Sequence, residues 1–168
     1  MTNRNGATQI AALPIAIAKN GQVYVLLVTS RETKRWVIPK GWPSKKLTNA
    51  KAAAREAREE AGITGKVDRK PVGTYAYRKV LPQGTRLIEV SVFPLWVKKE
   101  HKKWSEQRER TRIWCTLDEA SKMVREPGLQ RLFTELSEEI GNLSGNKAVE
   151  KVSEIAEALD IYDDSAKH

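Results

Sequence analysis

The sequence predicts an α/β domain on a mixed sheet, followed by an added C-terminal helix. Three observations carry this. Apolar runs at residues 8–18 (TQIAALPIAIA) and 22–29 (QVYVLLVT) flank Asn20-Gly21, a strong two-residue hairpin signal. Residues 48–61, mostly Ala, Lys, Arg and Glu, form a helix-prone stretch between the N-cap residue Thr48 and the stop Gly62. Strand-like and helix-like segments then alternate through the rest of the chain, the pattern of a layered α/β fold.

Taken in order, the first two runs read as paired strands, and 36–38 as a short apolar segment. The following Pro39-Lys40-Gly41-Trp42-Pro43 carries two prolines and a glycine, which predict a loop without regular structure. After the helix over 48–61, residues 66–80 and 85–98 read as strands joined through 81–84 (LPQG). Residues 98–112 read as a charged loop too polar to bury, 113–115 as a short strand, and 117–124 and 129–140 as helices. Beyond residues 141–145 (GNLSG), Val149, Val152, Ile155, Ala156 and Leu159 recur at helical spacing over 147–159. That stripe must dock on its own domain or on a second subunit, which leaves the oligomeric state open. The division expected is a domain at 1–142 and a helical appendage with tail at 143–168.

Composition narrows the chemistry. One cysteine, Cys115, excludes an internal disulfide, and two scattered histidines make a His/Cys zinc site a poor reading, so any metal is expected to be held by oxygen. No run of about 18 apolar residues is present, so no membrane span is expected, and the first residues lack a secretory layout; a cytoplasmic protein is the expectation. The formal charge is +9, yet residues 135–168 hold nine acidic and three basic residues, so the basic excess lies before them. Residues 31–55 alone hold eight basic residues and one acid, which points to a polyanionic small-molecule partner, with nucleic acid possible but not favoured.

Against this background, Glu56, Glu59 and Glu60 crowd three carboxylates onto one helix. Residues three and four apart are neighbours there, so the like charges repel by a few tenths of a kcal/mol per pair, roughly. Ala50, Ala53, Ala54, Ala57 and Ala61 form a small-residue stripe beside them, suited to close packing on a sheet. A hard divalent cation relieves the repulsion, because Mg²⁺ favours carboxylate oxygens and keeps several waters for a phosphate substrate.

Gly41, thirteen further residues and then Arg55-Glu56-Ala57-Arg58-Glu59-Glu60-Ala61-Gly62-Ile63 resemble the Nudix box. The resemblance implies a Nudix-type α/β/α sandwich over about residues 8–140. It also implies a Mg²⁺- or Mn²⁺-dependent hydrolase in which water attacks a phosphorus of a diphosphate. Carried over by position, Glu59 and Glu60 are implied metal ligands with Glu56 supporting them, the Gly41 carbonyl completes the shell, and Arg55 orients Glu59. The box's first glutamate falls on Leu47, so Arg55 lacks the partner that the family commonly supplies.

Outside the box, residues 35–43 (RWVIPKGWP), 107–114 (QRERTRIW) and 126–129 (EPGL) resemble the diphosphoinositol polyphosphate and diadenosine polyphosphate branch. Phosphate-binding candidates are Arg31, Lys34, Arg35 and Lys40, with Trp42 at the site mouth and Tyr77 and Arg78 on a neighbouring strand. The resemblance places a general base in the charged loop, where Glu109 is preferred to Glu106. The competing expectations are a nucleoside-triphosphate or nucleotide-sugar pyrophosphatase, and a catalytically weakened module binding RNA or another anion.

Overall fold

A computed structural model describes residues 6–141, and the side chains of 7–139. The predicted helix over 147–159 and the domain boundary at 142 lie outside the described residues. The elements are β1 (Gly6–Ile17), β2 (Val23–Thr29), β3 (Trp36–Val37), β4 (Lys40–Gly41), α1 (Asn49–Ala61), β5 (Ile63–Val67), β6 (Gly73–Leu81), β7 (Gly84–Glu100), β8 (Arg112–Thr116), α2 (Leu117–Met123) and α3 (Pro127–Gly141).

The sheet runs β3-β2-β1-β7-β5, with β4 also against β1, β6 against β7 and β8 against β2. The β1–β7 pair is parallel and the other pairs are antiparallel, so the sheet is mixed as predicted. Helix α1 covers one face: Ile10, Ala12, Leu26, Phe93 and Leu95 pack against its alanines. Helices α2 and α3 cover the other, where Leu13, Val25, Leu27, Val90 and Val92 meet Leu129, Leu132 and Phe133. Because both faces are covered, β1 is buried on both sides, which explains its unbroken apolar run.

Helix α1 begins and ends where the sequence signals it. The Thr48 hydroxyl accepts a hydrogen bond from the Lys51 N–H, and Gly62 caps the far end in the left-handed region at φ 67°. Ala50, Ala52, Ala53, Ala57 and Ala61 are all buried, so small side chains let the helix axis lie close to the sheet.

Three expectations need correction. The single strand over 66–80 is two strands, β5 and β6, which pair with opposite ends of the 17-residue β7. The break between them, residues 68–72, contains Pro71, which cannot donate to a ladder. Lys40-Gly41 is not irregular but pairs with Ile10 and Ala11, the flanking prolines sitting where no ladder donor is needed; the Pro39 carbonyl accepts from the Ala12 N–H. The Asn20-Gly21 hairpin has a three-residue loop: Ala18 pairs with Gln22, and Gly21 takes φ 89°. Among the described residues no helix is long and apolar enough to cross a membrane.

Candidate active site

The carboxylates of α1 are not a uniform ridge. Glu60 lies next to the alanine stripe and is only 6% exposed, Glu56 is half-buried, and Glu59 stands to the side. Glu56 and Glu60 share a hydrogen bond, and burial, opposed by the Arg110 charge, pushes the Glu60 carboxyl up to about 8. Burial also raises Glu56. Burial and the closeness of the two like charges thus both favour the protonated form at this pair. The Lys40 N–H donates to Glu60 Oε1 at 3.3 Å, and Arg110 approaches Oε2 at 3.7 Å.

Gly41 leaves space here for the Glu56 carboxylate. A Cβ at this position would lie 2.5 Å from the Glu56 carboxyl, so a larger residue would push that carboxylate out of its present place beside β4. The donors gathered are all hard oxygens, which fits Mg²⁺ or Mn²⁺. Among the described residues no three His, Cys, Asp or Glu side chains close a metal cage. Two carboxylates completed by water and substrate oxygens are the arrangement Mg²⁺ adopts beside phosphates. Glu59 is not drawn into the pair: it lines a separate cleft of about 400 Å³ with Arg58, Gly62, His101, Lys103 and Trp104. Nor does Arg55 ion-pair with Glu59 among the described residues; its charge acts on Glu56. Leu47, at the position of the missing glutamate, packs against the core on the α1 side.

The loop over residues 101–111 is not merely solvated. Its Trp104 indole donates to the Glu60 carbonyl at 3.0 Å and lies under the Arg112 guanidinium at 4.0 Å. Arg112 in turn donates to the carbonyls of Ala61 at 2.7 Å and His101 at 2.8 Å, filling acceptors that the helix end leaves open. The Glu106 N–H donates to the Glu59 carbonyl at 3.1 Å. These contacts turn Glu106 toward the pair, and its charge raises both Glu56 and Glu60. Arg110, side chain 9% exposed, holds Glu106 Oε1 at 2.7 Å and the Thr29 carbonyl at 3.1 Å.

The loop carboxylate that Arg110 ties to Glu60 is Glu106, where the sequence preferred Glu109. Glu109 is exposed, 3.9 Å from Arg31, and its carbonyl accepts from Lys34 Nζ at 3.0 Å; the loop turns it outward while Glu106 turns in. Arg31 and Lys34 consequently face Glu109 on the outer rim. Arg78 is also misplaced by the sequence reading. Alternation along β6 puts it on the exposed face opposite Tyr75 and Tyr77, whose ring centroids are 6.3 Å apart. Lys79 shares the tyrosine face instead, and its charge is felt at Lys40.

Lys40 links the two faces of the sheet. Burial depresses its ammonium against the pull of Glu60 and Glu126, and Nζ lies 5.3 Å from the Tyr77 ring centroid. The Tyr77 hydroxyl donates to the buried Gln9 at 2.6 Å, and burial pushes its pKa up to about 12. Arg35 reaches Glu126 at 3.8 Å, and Trp42, directly after β4, is exposed.

A model of the NUDIX domain matches residues 7–136. The chain belongs to the Nudix family. It is 33% identical over 119 residues to Nudix hydrolase 16, mitochondrial, of Arabidopsis thaliana, a match covering 67% of this chain and 64% of that protein. It is 33% identical over 120 residues to Nudix hydrolase 18, mitochondrial, of the same plant, covering 71% and 66%. The chain thus spans slightly less than two thirds of these relatives. The solved C. elegans Ap4A hydrolase binary complex superposes with a TM-score of 0.60 at 18% identity, over 81% of this chain and 98% of that one. That likeness shows a shared fold, the α/β/α Nudix sandwich.

Within this Nudix domain, Arg110, Glu106 and Glu126 are the site-facing residues whose roles sequence reading missed or ranked second. The 107–114 motif contains Arg110, but its spacing does not show which of three closely spaced arginines turns inward.

Proposed function

We propose that this Nudix domain is a divalent-metal-dependent hydrolase of a diphosphate linkage in a highly phosphorylated small molecule, of the dinucleoside polyphosphate or diphosphoinositol polyphosphate type. The observation that carries the reading is the Glu56–Glu60 pair, two carboxylates set against Gly41 with Lys40 and Arg110 beside them. Glu56 and Glu60 would hold Mg²⁺ or Mn²⁺, with Glu59 an outer member. A bound divalent ion supplies neutralisation of phosphate charge at the reacting phosphorus.

The chain's own residues do the rest. Lys40, at the edge of the pair, binds a phosphate oxygen by a charge-assisted contact. Arg110 keeps Glu106 Oε1 engaged, which leaves Oε2 to take a proton from the attacking water as its oxygen bonds to phosphorus and the bridging P–O bond breaks. Arg31, Lys34 and Arg35 add positive charge around the approach. The strong basic excess favours a polyphosphate over a nucleotide sugar. The test is phosphate release from dinucleoside polyphosphates, diphosphoinositol phosphates, nucleoside triphosphates and ADP-ribose with Mg²⁺ and with Mn²⁺. Metal-dependent turnover of the first two classes supports the reading, and no turnover on any substrate, with salt-dependent RNA binding instead, refutes it.

A further inference from the structure

We infer that Trp104 and Arg112 are positioning residues that set the loop carboxylate Glu106 against the Glu56–Glu60 pair. The inference rests on the hydrolase reading above and deepens it by naming what aims the proton acceptor. Residues 101–111 form a polar loop between β7 and β8, and its one large apolar side chain is Trp104. A loop with so little core of its own keeps a single conformation only if ties to the rest of the molecule offset the entropy of ordering it. Those ties converge on the end of α1. The Arg112 guanidinium stands 4.0 Å from the Trp104 ring centroid, and Gly62 abuts the same ring so closely that a Cβ there would lie 2.7 Å from it. The indole N–H donates to the Glu60 carbonyl at 3.0 Å. Arg112, the first residue of β8, donates to the Ala61 carbonyl at 2.7 Å and to that of His101, where the loop begins, at 2.8 Å. One guanidinium therefore joins both ends of the loop to the helix.

Arg112 is itself fixed from the sheet. Its backbone pairs with Val28 of β2, and its Nε lies 3.2 Å from Glu100 at the end of β7. From this clip a short path leads to the carboxylate pair. Two residues past Trp104, the Glu106 N–H donates to the Glu59 carbonyl at 3.1 Å, so the loop backbone follows successive carbonyls of the helix end. Glu106 Oε1 then meets Arg110 at 2.7 Å, and Arg110 stands 3.7 Å from Glu60 Oε2. Trp104 lines the separate cleft with Glu59 rather than the pair, so it acts through Glu106 and not on the substrate. The role is geometric, and geometry is worth much here: a reacting group misplaced by about 1 Å can lose about 10²-fold in rate.

The test is a double-mutant cycle on the full chain, using whichever substrate of the panel above is turned over fastest, joined to amide hydrogen exchange without metal. Arg112→Met should lower kcat about tenfold with KM within about twofold, and Trp104→Phe, which keeps a ring and loses the N–H, about threefold. In a Glu106→Gln background the same substitutions should lower kcat by less than about twofold more, because the group they aim is already gone. Equal losses with and without Glu106, or a higher KM at unchanged kcat, overturn the proposal and leave the two residues as parts of the fold. In the metal-free chain, Arg112→Met should speed exchange of the Glu106 N–H at least about tenfold while the amides of α1 keep their protection. Unchanged exchange there also overturns it. Should Arg112→Met fail to fold, which thermal melting reports, Trp104→Phe carries both measurements. No turnover in the unmodified chain would refute the hydrolase reading and with it the aiming of a base, whereas turnover with additive losses would refute the clip alone.

Discussion

Among the described residues two glutamates are largely withdrawn from solvent, Glu60 on the α1 side of the sheet and Glu126 on the other, and they are treated differently. Glu60, on the α1 side, shares a hydrogen bond with Glu56, accepts from the Lys40 N–H and has Arg110 at 3.7 Å. Glu126, on the α2–α3 side, has only the distant Arg35, and one oxygen is left bare among the described residues. Burial depth is similar, so depth does not separate them. What separates them is service: Glu60 sits among charges arranged around a cation seat, whereas Glu126 Oε1 is shut off from solvent without a donor. Burial raises Glu60 toward its protonated form despite its partners, and leaves Glu126 Oε1 without any donor.

The most direct way to break this comparison is at Glu60. Glu60→Gln should reduce turnover more than about 100-fold, beyond the effect of losing an outer partner of a metal ligand, in phosphate-release assays. Fold stability should be retained in the same variant, because a neutral amide replaces a group that is already protonated in the metal-free chain. Loss of folding instead would make Glu60 a structural residue. Next in size, Glu106→Gln should lower turnover about 10²-fold, the usual worth of a general base, while Glu109→Gln changes it less than about threefold. Equal effects of the two substitutions would return the loop carboxylate to Glu109.

Arg110→Met tests the service itself. It breaks a buried ion pair and leaves Glu106 and Glu60 uncompensated, at a cost of about 3 kcal/mol read as a fall in the thermal midpoint. An unchanged midpoint would mean that Arg110 is a spectator.

The pH dependence sharpens the same point. Glu60 is raised to about 8, so the metal-free fold binds a proton that the unfolded chain, titrating near 4.5, has released. That contribution is fully present below about 4.5 and is lost as pH rises through about 8, so the metal-free midpoint should fall over this window. Mg²⁺ must displace the same proton, so its affinity should rise close to tenfold per pH unit below about 8 and level off above. A flat affinity by calorimetry would show that no proton is held at the seat. The smallest effect is expected at Leu47. Leu47→Glu restores a partner for Arg55 at the expense of apolar packing, and turnover should change by no more than about 1 kcal/mol equivalent, the worth of an exposed ion pair. Complete loss would show that Arg55 acts through another group.

Much of this was legible in the chain itself. Thr48 and Gly62 bound α1, the alanine stripe announces its packing face, and the spacing from Gly41 to Gly62 locates the carboxylates, because these are local signals read within one helix or turn. Period-2 alternation also put Tyr75 and Tyr77 on one face of β6, and the same rule excludes Arg78 from it. The loop over residues 101–111 was opaque for the opposite reason. Glu106 and Glu109 have the same composition around them, and which one turns inward depends on Trp104, Arg110 and Arg112 bonding to carbonyls of α1 and β2 that are about 40 to 80 residues away in sequence. The break into β5 and β6 likewise depends on β7 being long enough to pair with both.

By itself, then, the sequence determined the helix, its caps, the set of carboxylates on it and the alternating layers, since each depends on neighbours within a few residues. Only the tertiary structure decided which glutamates pair at the seat, which loop acid faces them and where Glu126 is left bare. Those outcomes are set by burial and by contacts between segments that meet only when both faces of the sheet are covered, and a desolvated charge has no signature in the linear chain.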